Sequence, residues 1–271
     1  LTALMIGSEG TLGIITKIVF KLIPLPTMDI TMLVPFTSAE KACEAVSAVF
    51  RAGITPSALE FIERDATLWT LKYTDIELQI EDEIQAHLLV EVDGNDMDVL
   101  NKDCERIAEV MELFECGEIL LADSESQKNQ IWKLRRAIAE SVKSNSIYKE
   151  EDTVVPRAEL AKLLKGVKEI GEKYGFKSIC YGHAGDGNLH INIIKGEMRD
   201  EDWNSKLDFG IREIFKLTKS LGGTLSGEHG IGLVQKDYMD IVFSEKELEL
   251  QKGIKQLFDP NGILNPGKVF S

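Results

Sequence analysis

Apolar and polar positions along the chain alternate with two periods, and the changes of period divide it into short strands and longer helices. Ile14 to Ile23 alternates apolar with polar residues and predicts a strand closed by Pro24 and Pro26. Further strands are predicted at Ile30–Pro35, Ser57–Ile62, Ala86–Val92, Glu118–Ala122, Thr153–Pro156, Lys177–His183 and Leu189–Lys195. Helical spacing predicts helices at Ser38–Ala52, Ala66–Tyr73, Met97–Phe114, Ser124–Ser144, Ala158–Tyr174, Asp202–Leu221 and Glu245–Phe258. Ser38 is placed to cap the first of these and Gly53 to stop it. Strands come singly and in pairs between helices, and the one clear two-residue turn joins an antiparallel pair. That order favours an α+β fold, an antiparallel sheet with helices on one face, over a doubly wound parallel sheet. Two ferredoxin-like halves split near residue 115 are one way to build it.

Composition narrows the function. The chain has 271 residues, 31 Lys plus Arg against 45 Asp plus Glu, and a formal charge of −14. Nucleic acid is an unsuitable partner, because a phosphate backbone needs a basic face to displace its counterions. No apolar run approaches the roughly 18 residues of a membrane span. Cys43, Cys104, Cys116 and Cys180 are scattered and form no CxxC pair. They read as reduced thiols in a cytoplasmic protein. The chain opens on Leu-Thr-Ala-Leu-Met-Ile-Gly-Ser-Glu-Gly without an initiator Met or a signal peptide, so it is expected to be a fragment.

Three of the four histidines fall in two motifs. In Tyr181-Gly182-His183-Ala184-Gly185-Asp186-Gly187-Asn188-Leu189-His190-Ile191-Asn192, Asp-Gly signals a tight hairpin turn. A two-residue loop centred there sets His183 opposite His190 and Tyr181 opposite Asn192. Opposed residues share a face with Cβ atoms about 4.5–5.5 Å apart, so both imidazoles can hold one metal ion. Asn192 then lies beside His190, and Leu189, Ile191 and Ile193 fill the other face. The second motif, Ser226-Gly227-Glu228-His229-Gly230-Ile231-Gly232, puts a carboxylate and an imidazole in backbone too glycine-rich for a helix. Two His and one carboxylate with open positions form a catalytic set for zinc or another divalent ion. His183, His190 and Glu228 would be the ligands and His229 the general base. Taken singly, either strand histidine would read as a hydrogen-bonded core residue, and His87, in an apolar run, keeps that reading. Gly7-Ser8-Glu9-Gly10-Thr11-Leu12-Gly13 is neither a dinucleotide fingerprint nor a Walker loop, and Asn265-Pro266-Gly267-Lys268 alone would close the chain as a loop.

Together, Gly-Ser-Glu-Gly-Thr-Leu-Gly-Ile-Ile-Thr, Gly-His-Ala-Gly-Asp-Gly-Asn-Leu-His, Ser-Gly-Glu-His-Gly-Ile-Gly and Phe-Asp-Pro-Asn-Gly-Ile-Leu-Asn-Pro-Gly-Lys resemble one family. It is the FAD-linked 2-hydroxy-acid dehydrogenases of the vanillyl-alcohol-oxidase type. The glycolate oxidase catalytic subunit, D-lactate dehydrogenase and D-2-hydroxyglutarate dehydrogenase are members. The resemblance implies that residues 1–26 end an FAD-binding domain and that residues 27–240 form the ferredoxin-like substrate and metal domain. Residues 241–271 would then return to the flavin. It places metal ligands at His183, His190 and Glu228, and the catalytic base at His229. Arg135 matches an arginine that clamps the substrate carboxylate, and Asn192 a polar residue near the substrate. Lys149 matches a second cationic position when a one-residue gap is allowed. Flavin contacts fall on Gly7, Ser8, Gly10, Thr11, Gly13 and Ile15, with Asn265 and Lys268 from the tail. Ala139 stands where the hydroxyglutarate enzymes carry a Thr, which favours lactate or glycolate as the acid.

The implied reaction oxidises a small D-2-hydroxy acid to the 2-oxo acid, with FAD and a divalent metal, zinc being the expected ion. Arg135 holds the carboxylate, His229 takes the hydroxyl proton, and hydride leaves to the flavin. Expected partners are the substrate, the N-terminal FAD domain and an electron-transfer protein as acceptor. Alone, the chain is expected to be inactive. A metal-dependent hydrolase using the same ligands, and a non-catalytic module binding a small acid or a protein, are the alternatives. Against the hydrolase, the sequence has no HExxH helix and no clear oxyanion-hole motif.

Overall fold

A computed structural model describes residues 1–270. In chain order the elements are α1 (Thr2–Met5), β1 (Met28–Phe36), α2 (Ala39–Arg51), β2 (Ala58–Glu63), α3 (Arg64–Tyr73), β3 (Ala86–Gly94), α4 (Met97–Glu112) and β4 (Leu120–Leu121). Then follow α5 (Glu125–Asn145), β5 (Tyr148–Val154), α6 (Leu160–Tyr174), β6 (Lys177–Gly182), β7 (Asn188–Ile194), α7 (Asp200–Ser220), α8 (Met239–Val242) and α9 (Glu245–Phe258). Ser38 caps α2 as its sequence position predicts, its side chain accepting from the Lys41 N–H at 3.2 Å.

The strands form one seven-stranded sheet in the order β4-β1-β3-β2-β6-β7-β5, every pairing antiparallel. The order 4-1-3-2 of its first half is that of a ferredoxin-like unit. The second half repeats it from the centre outward: β6, β7 and β5 take the places of the second, third and first strands. The bridge Val154↔Thr224 stands where the fourth strand would run. The halves meet edge to edge through β2 and β6. The division therefore falls between β4 and β5, with α5 as the connection, and not near residue 115.

The antiparallel α+β class stands, but helices cover both faces. On one face Val34, Phe61, Leu88, Cys180 and Ile191 join the core with buried residues of α2, α4, α6 and α7. On the other, Leu33, Ile62, Leu89, Ile179 and Tyr181 pack against Ile131, Leu134 and Ile138 of α5 and Ala66 of α3. Strands of this sheet are consequently buried on both sides. The side chains described below share this second face, since Tyr181 pairs with His190.

Two expected elements differ. Residues 14–23 form no strand; Ile14, Ile18, Val19, Phe20, Leu22 and Ile23 are exposed, with no β-pairing among the described residues. A strand is stable only when its backbone groups pair with a neighbour. β5 starts at Tyr148 rather than at Thr153, because its Glu150 and Asp152 face inward where apolar residues would announce a strand.

His87, on β3, is buried as expected of a core residue, and burial pushes its imidazole pKa down to about 4, with Arg64 adding to the effect. The unfolded chain titrates near 6.5, so it binds more protons than the fold between those values. Stability should therefore fall as pH drops from about 6.5 to about 4, by about 3 kcal/mol from this group. Denaturant melts of wild type and His87→Leu across that range check it. Equal acid slopes would show that His87 titrates normally in the fold.

Candidate active site

The hairpin β6–β7 carries the first two ligand candidates, in a register two residues from the expected one. Tyr181, not His183, pairs with His190, and Ile179 with Asn192. The connection is longer than a two-residue turn: a 3₁₀ turn at Ala184–Asp186 ends at Gly187 with φ +78°. A Cβ at Gly187 would overlap the Val155 carbonyl oxygen, so only glycine fits. A shift of two residues keeps side chains on their faces. His183 leaves the end of β6 and still meets His190, their ring centroids 5.8 Å apart.

β5 and β2 complete the row. Asp152 pairs with His190 and Glu150 with Asn192 across β5 and β7. From β2, Glu60 accepts from His183 Nδ1 at 2.7 Å and from Arg135 Nε of α5 at 2.8 Å. Burial would raise the Glu60 pKa, but the His183 bond and the Arg135 charge outweigh it and hold the carboxyl below its usual range. The same bond raises the His183 pKa against its burial. Glu60 thus fixes the ring so that Nε2 is the outward nitrogen, the arrangement found behind metal-binding histidines.

The 226–232 loop brings the other two residues. Asp152, 1% exposed, accepts from the Glu228 N–H at 2.7 Å, the His229 N–H at 2.8 Å and Ser226 Oγ at 3.1 Å, while Asn188 Nδ2 donates at 2.6 Å. Burial opposes ionisation of Asp152, yet those N–H groups keep its pKa lowered. Gly227 must be glycine here, since a Cβ would lie 2.2 Å from Asn188 Nδ2. Farther along the loop, the Glu9 carboxylate accepts from Ile231 N–H at 2.7 Å and Gly232 N–H at 2.8 Å.

These supports bring His183 Nε2 and His190 Nε2 each to 3.5 Å from Glu228 Oε1. One atom from each residue lies within 4.8 Å of the others, a spacing that suits a shared cation. Glu150, His190 and His229 meet the same criterion. His190 is 6% exposed at its side chain and Glu228 about half, so the cluster has a buried floor and an open mouth. Burial pushes the His190 pKa down to about 4, which leaves its imidazole neutral and able to ligate. His190 Nδ1 has no hydrogen bond; oxygens of Asp152 and Glu150 stand 3.6 and 3.7 Å away. His229 stacks on His190 at 5.1 Å between centroids, with Nε2 3.9 Å from Glu228.

Of the remaining expected residues, Arg135 reaches the cluster and lies 5.2 Å over the Tyr181 ring. Asn192 is buried, its Nδ2 donating to the Ile179 carbonyl at 3.4 Å and its Oδ1 unpaired among the described residues. Lys149 is not brought to the histidines. It alternates to the other side of β5, where its ammonium is 3.6 Å from buried Glu151. At the N-terminal turn, Gly7 and Gly10 are left-handed, and the Ser8 and Thr11 hydroxyls donate to Met5 and Ser8 carbonyls at 2.8 and 2.7 Å. Gly13 follows them and Ile15 is exposed. Asn265 Nδ2 donates to the Glu9 carbonyl, so tail, N-terminal turn and His229 loop are tied together. Among the described residues, Lys268 Nζ donates to the Pro266 carbonyl, at 3.5 Å. Glu60, Asp152, Glu150 and Glu9 were not singled out from sequence, and only Glu9 sits inside a motif.

Fold and site together define an antiparallel α+β domain bearing a two-histidine, one-carboxylate cluster on one face. The chain belongs to the family of FAD linked oxidases, C-terminal domain, whose model matches residues 25–269. It is 35% identical over 273 residues to a D-lactate dehydrogenase of Anaerostipes hadrus, covering 98% of this chain and 57% of that protein. To the glycolate oxidase subunit GlcD of Bacillus subtilis (strain 168) it is 34% identical, covering 100% and 57%. To the D-2-hydroxyglutarate dehydrogenase of Stutzerimonas stutzeri (strain A1501) it is 33% identical, covering 100% and 59%. The chain thus spans less than two thirds of these relatives. Among solved structures, p-cresol methylhydroxylase shares the fold with a TM-score of 0.64 at 17% identity, over 92% of this chain and 54% of that one. No helix among the described residues is long and apolar enough to cross a membrane.

Proposed function

We propose that this chain is the substrate- and metal-binding part of an FAD-dependent dehydrogenase that oxidises a small D-2-hydroxy acid to the 2-oxo acid. The observation that carries the reading is the His183–His190–Glu228 cluster, open on one side and flanked by His229. Those three residues would hold a divalent ion, zinc by its ligand types, which when bound supplies a Lewis acid for the substrate hydroxyl. FAD, when bound, supplies the two-electron acceptor.

The chain's own residues bind and deprotonate. Glu60 occupies the Nε edge of Arg135, and a guanidinium has five donors, so others remain for the substrate carboxylate. Asn192 offers its unpaired Oδ1 as an acceptor. His229, half exposed and held by its backbone, takes the hydroxyl proton. Ala139, exposed one turn beyond Arg135 on α5, offers no polar contact to a longer acid, in keeping with lactate or glycolate. Residues 1–26 would belong to the flavin domain, 27–240 to the substrate domain and 241–271 to the returning tail. The exposed apolar run 14–25 supports a covered face there, with Gly7 to Gly13, Ile15, Asn265 and Lys268 toward the flavin. An electron-transfer protein as acceptor and a cytoplasmic location complete the proposal; the four free cysteines agree with the latter.

Metal analysis tests the cluster. Zinc should bind at one ion per chain, and His190→Ala should weaken binding by at least about tenfold. Because His190 is buried, the half-exposed His183→Ala is the companion variant and should weaken it similarly. Unchanged zinc affinity in both variants would return the two histidines to a purely structural role.

A further inference from the structure

The acidic wall beside His229 says something about the substrate's far end. A cavity of about 450 Å³ opens at the edge strand β5, lined by Tyr148, Lys149, Glu150, Asp152, His229 and the stretch 230–235. Glu150 enters it from the same face as His190 and Asn192. Its carboxylate oxygen is 3.7 Å from His190 Nδ1, and it lies within 4.8 Å of a ring nitrogen of His229. A hydroxyl placed on His229 is therefore within a few ångströms of this carboxylate, and a substrate chain that continues into the cavity passes it.

The charges facing that space are unequal. Glu150 and Asp152 line it as acids, and Asp152 is spent on the loop N–H groups. The only lysine in the lining is Lys149, whose ammonium is held by Glu151 on the other side of the strand. Arg135 is committed in part to Glu60 and serves the carboxylate at the reacting end. On the face of β5 that carries Glu150 and Asp152, no lysine or arginine lines the cavity to receive a second carboxylate, and Lys149 is paired with Glu151 instead.

We infer that Glu150 is a specificity-determining residue that rejects 2-hydroxy acids with a second carboxylate and admits those whose remaining substituent is small and neutral or donates hydrogen bonds. The inference rests on the 2-hydroxy-acid reading. Specificity here comes from repulsion built against the wrong acid, not from extra contacts to the right one. Like charges set side by side at a desolvated contact are strongly unfavourable.

The test uses the 2-oxo products, which bind oxidised holoenzyme without turnover. Dissociation constants for pyruvate and 2-oxoglutarate are measured on wild type, Glu150→Gln and Glu150→Ala, with metal content alongside. Wild type should prefer pyruvate, and both variants should improve 2-oxoglutarate relative to pyruvate by at least tenfold with metal retained. An unchanged ratio, or loss of metal in both variants, overturns the role of Glu150, the latter making it a ligand. Binding of neither oxo acid by wild type overturns the 2-hydroxy-acid reading itself, and this inference with it.

Discussion

Replacing His229 by alanine in the holoenzyme should lower turnover by about 10²–10⁴-fold while leaving metal content near wild type, the usual contribution of a positioned general base. Its neighbour should fail differently. Glu228→Gln removes the one charged ligand, so metal and activity should be lost together. The separation follows from the loop: Asp152 holds both backbone N–H groups, sending Glu228 to His183 and His190, and His229 onto the face of His190. Substrate affinity should change less in His229→Ala, because Arg135 and the metal are proposed to do most of the holding. Metal analysis and steady-state kinetics on the two variants read this directly. If His229→Ala loses metal as fully as Glu228→Gln, the Glu150–His190–His229 set is the one that binds, and the base lies elsewhere.

Asp152→Ala should be the most damaging single change to the site's support, costing about 3–5 kcal/mol of stability and nearly all activity. The carboxylate is buried, and its removal strands the Glu228 and His229 N–H groups and the Ser226 hydroxyl, while the Asn188 amide keeps only its bond to the Thr153 carbonyl. Each buried donor left without an acceptor costs about 1–3 kcal/mol, partly relieved where the loop can swing to water. Asp152→Asn keeps the shape but lacks one acceptor oxygen, so it should fall between wild type and alanine. Denaturant unfolding together with zinc titration checks the order. Wild-type stability in Asp152→Ala would mean that the 226–229 loop is held by other contacts.

Most helices and the strands β1, β2, β3, β6 and β7 were legible because their apolar period is strong and their ends carry turn residues. β5 is longer than its sequence predicts because Glu150 and Asp152 point inward, while the run Glu-Glu-Asp looks like a solvated surface. The stretch 14–23 has a strand's alternation, but no strand among the described residues pairs with it. His183, His190, Glu228 and His229 announced themselves through glycine-flanked motifs. Glu60 and Asp152 carry no such local sign, since each acts on residues more than 35 positions away. The hairpin register differs by two from that of a tight Asp-Gly turn because the Ala184–Asp186 turn absorbs residues that such a turn leaves in strands.

The most direct test of the account is the flavin half-reaction. Oxidised holoenzyme mixed anaerobically with D-lactate or glycolate should lose its oxidised-flavin absorbance in a single turnover and yield one 2-oxo acid per flavin. His229→Ala should show the same loss slowed by about 10²–10⁴-fold. Flavin that stays oxidised with every 2-hydroxy acid supplied to metal-replete wild type would contradict the assignment of this cluster to 2-hydroxy-acid oxidation.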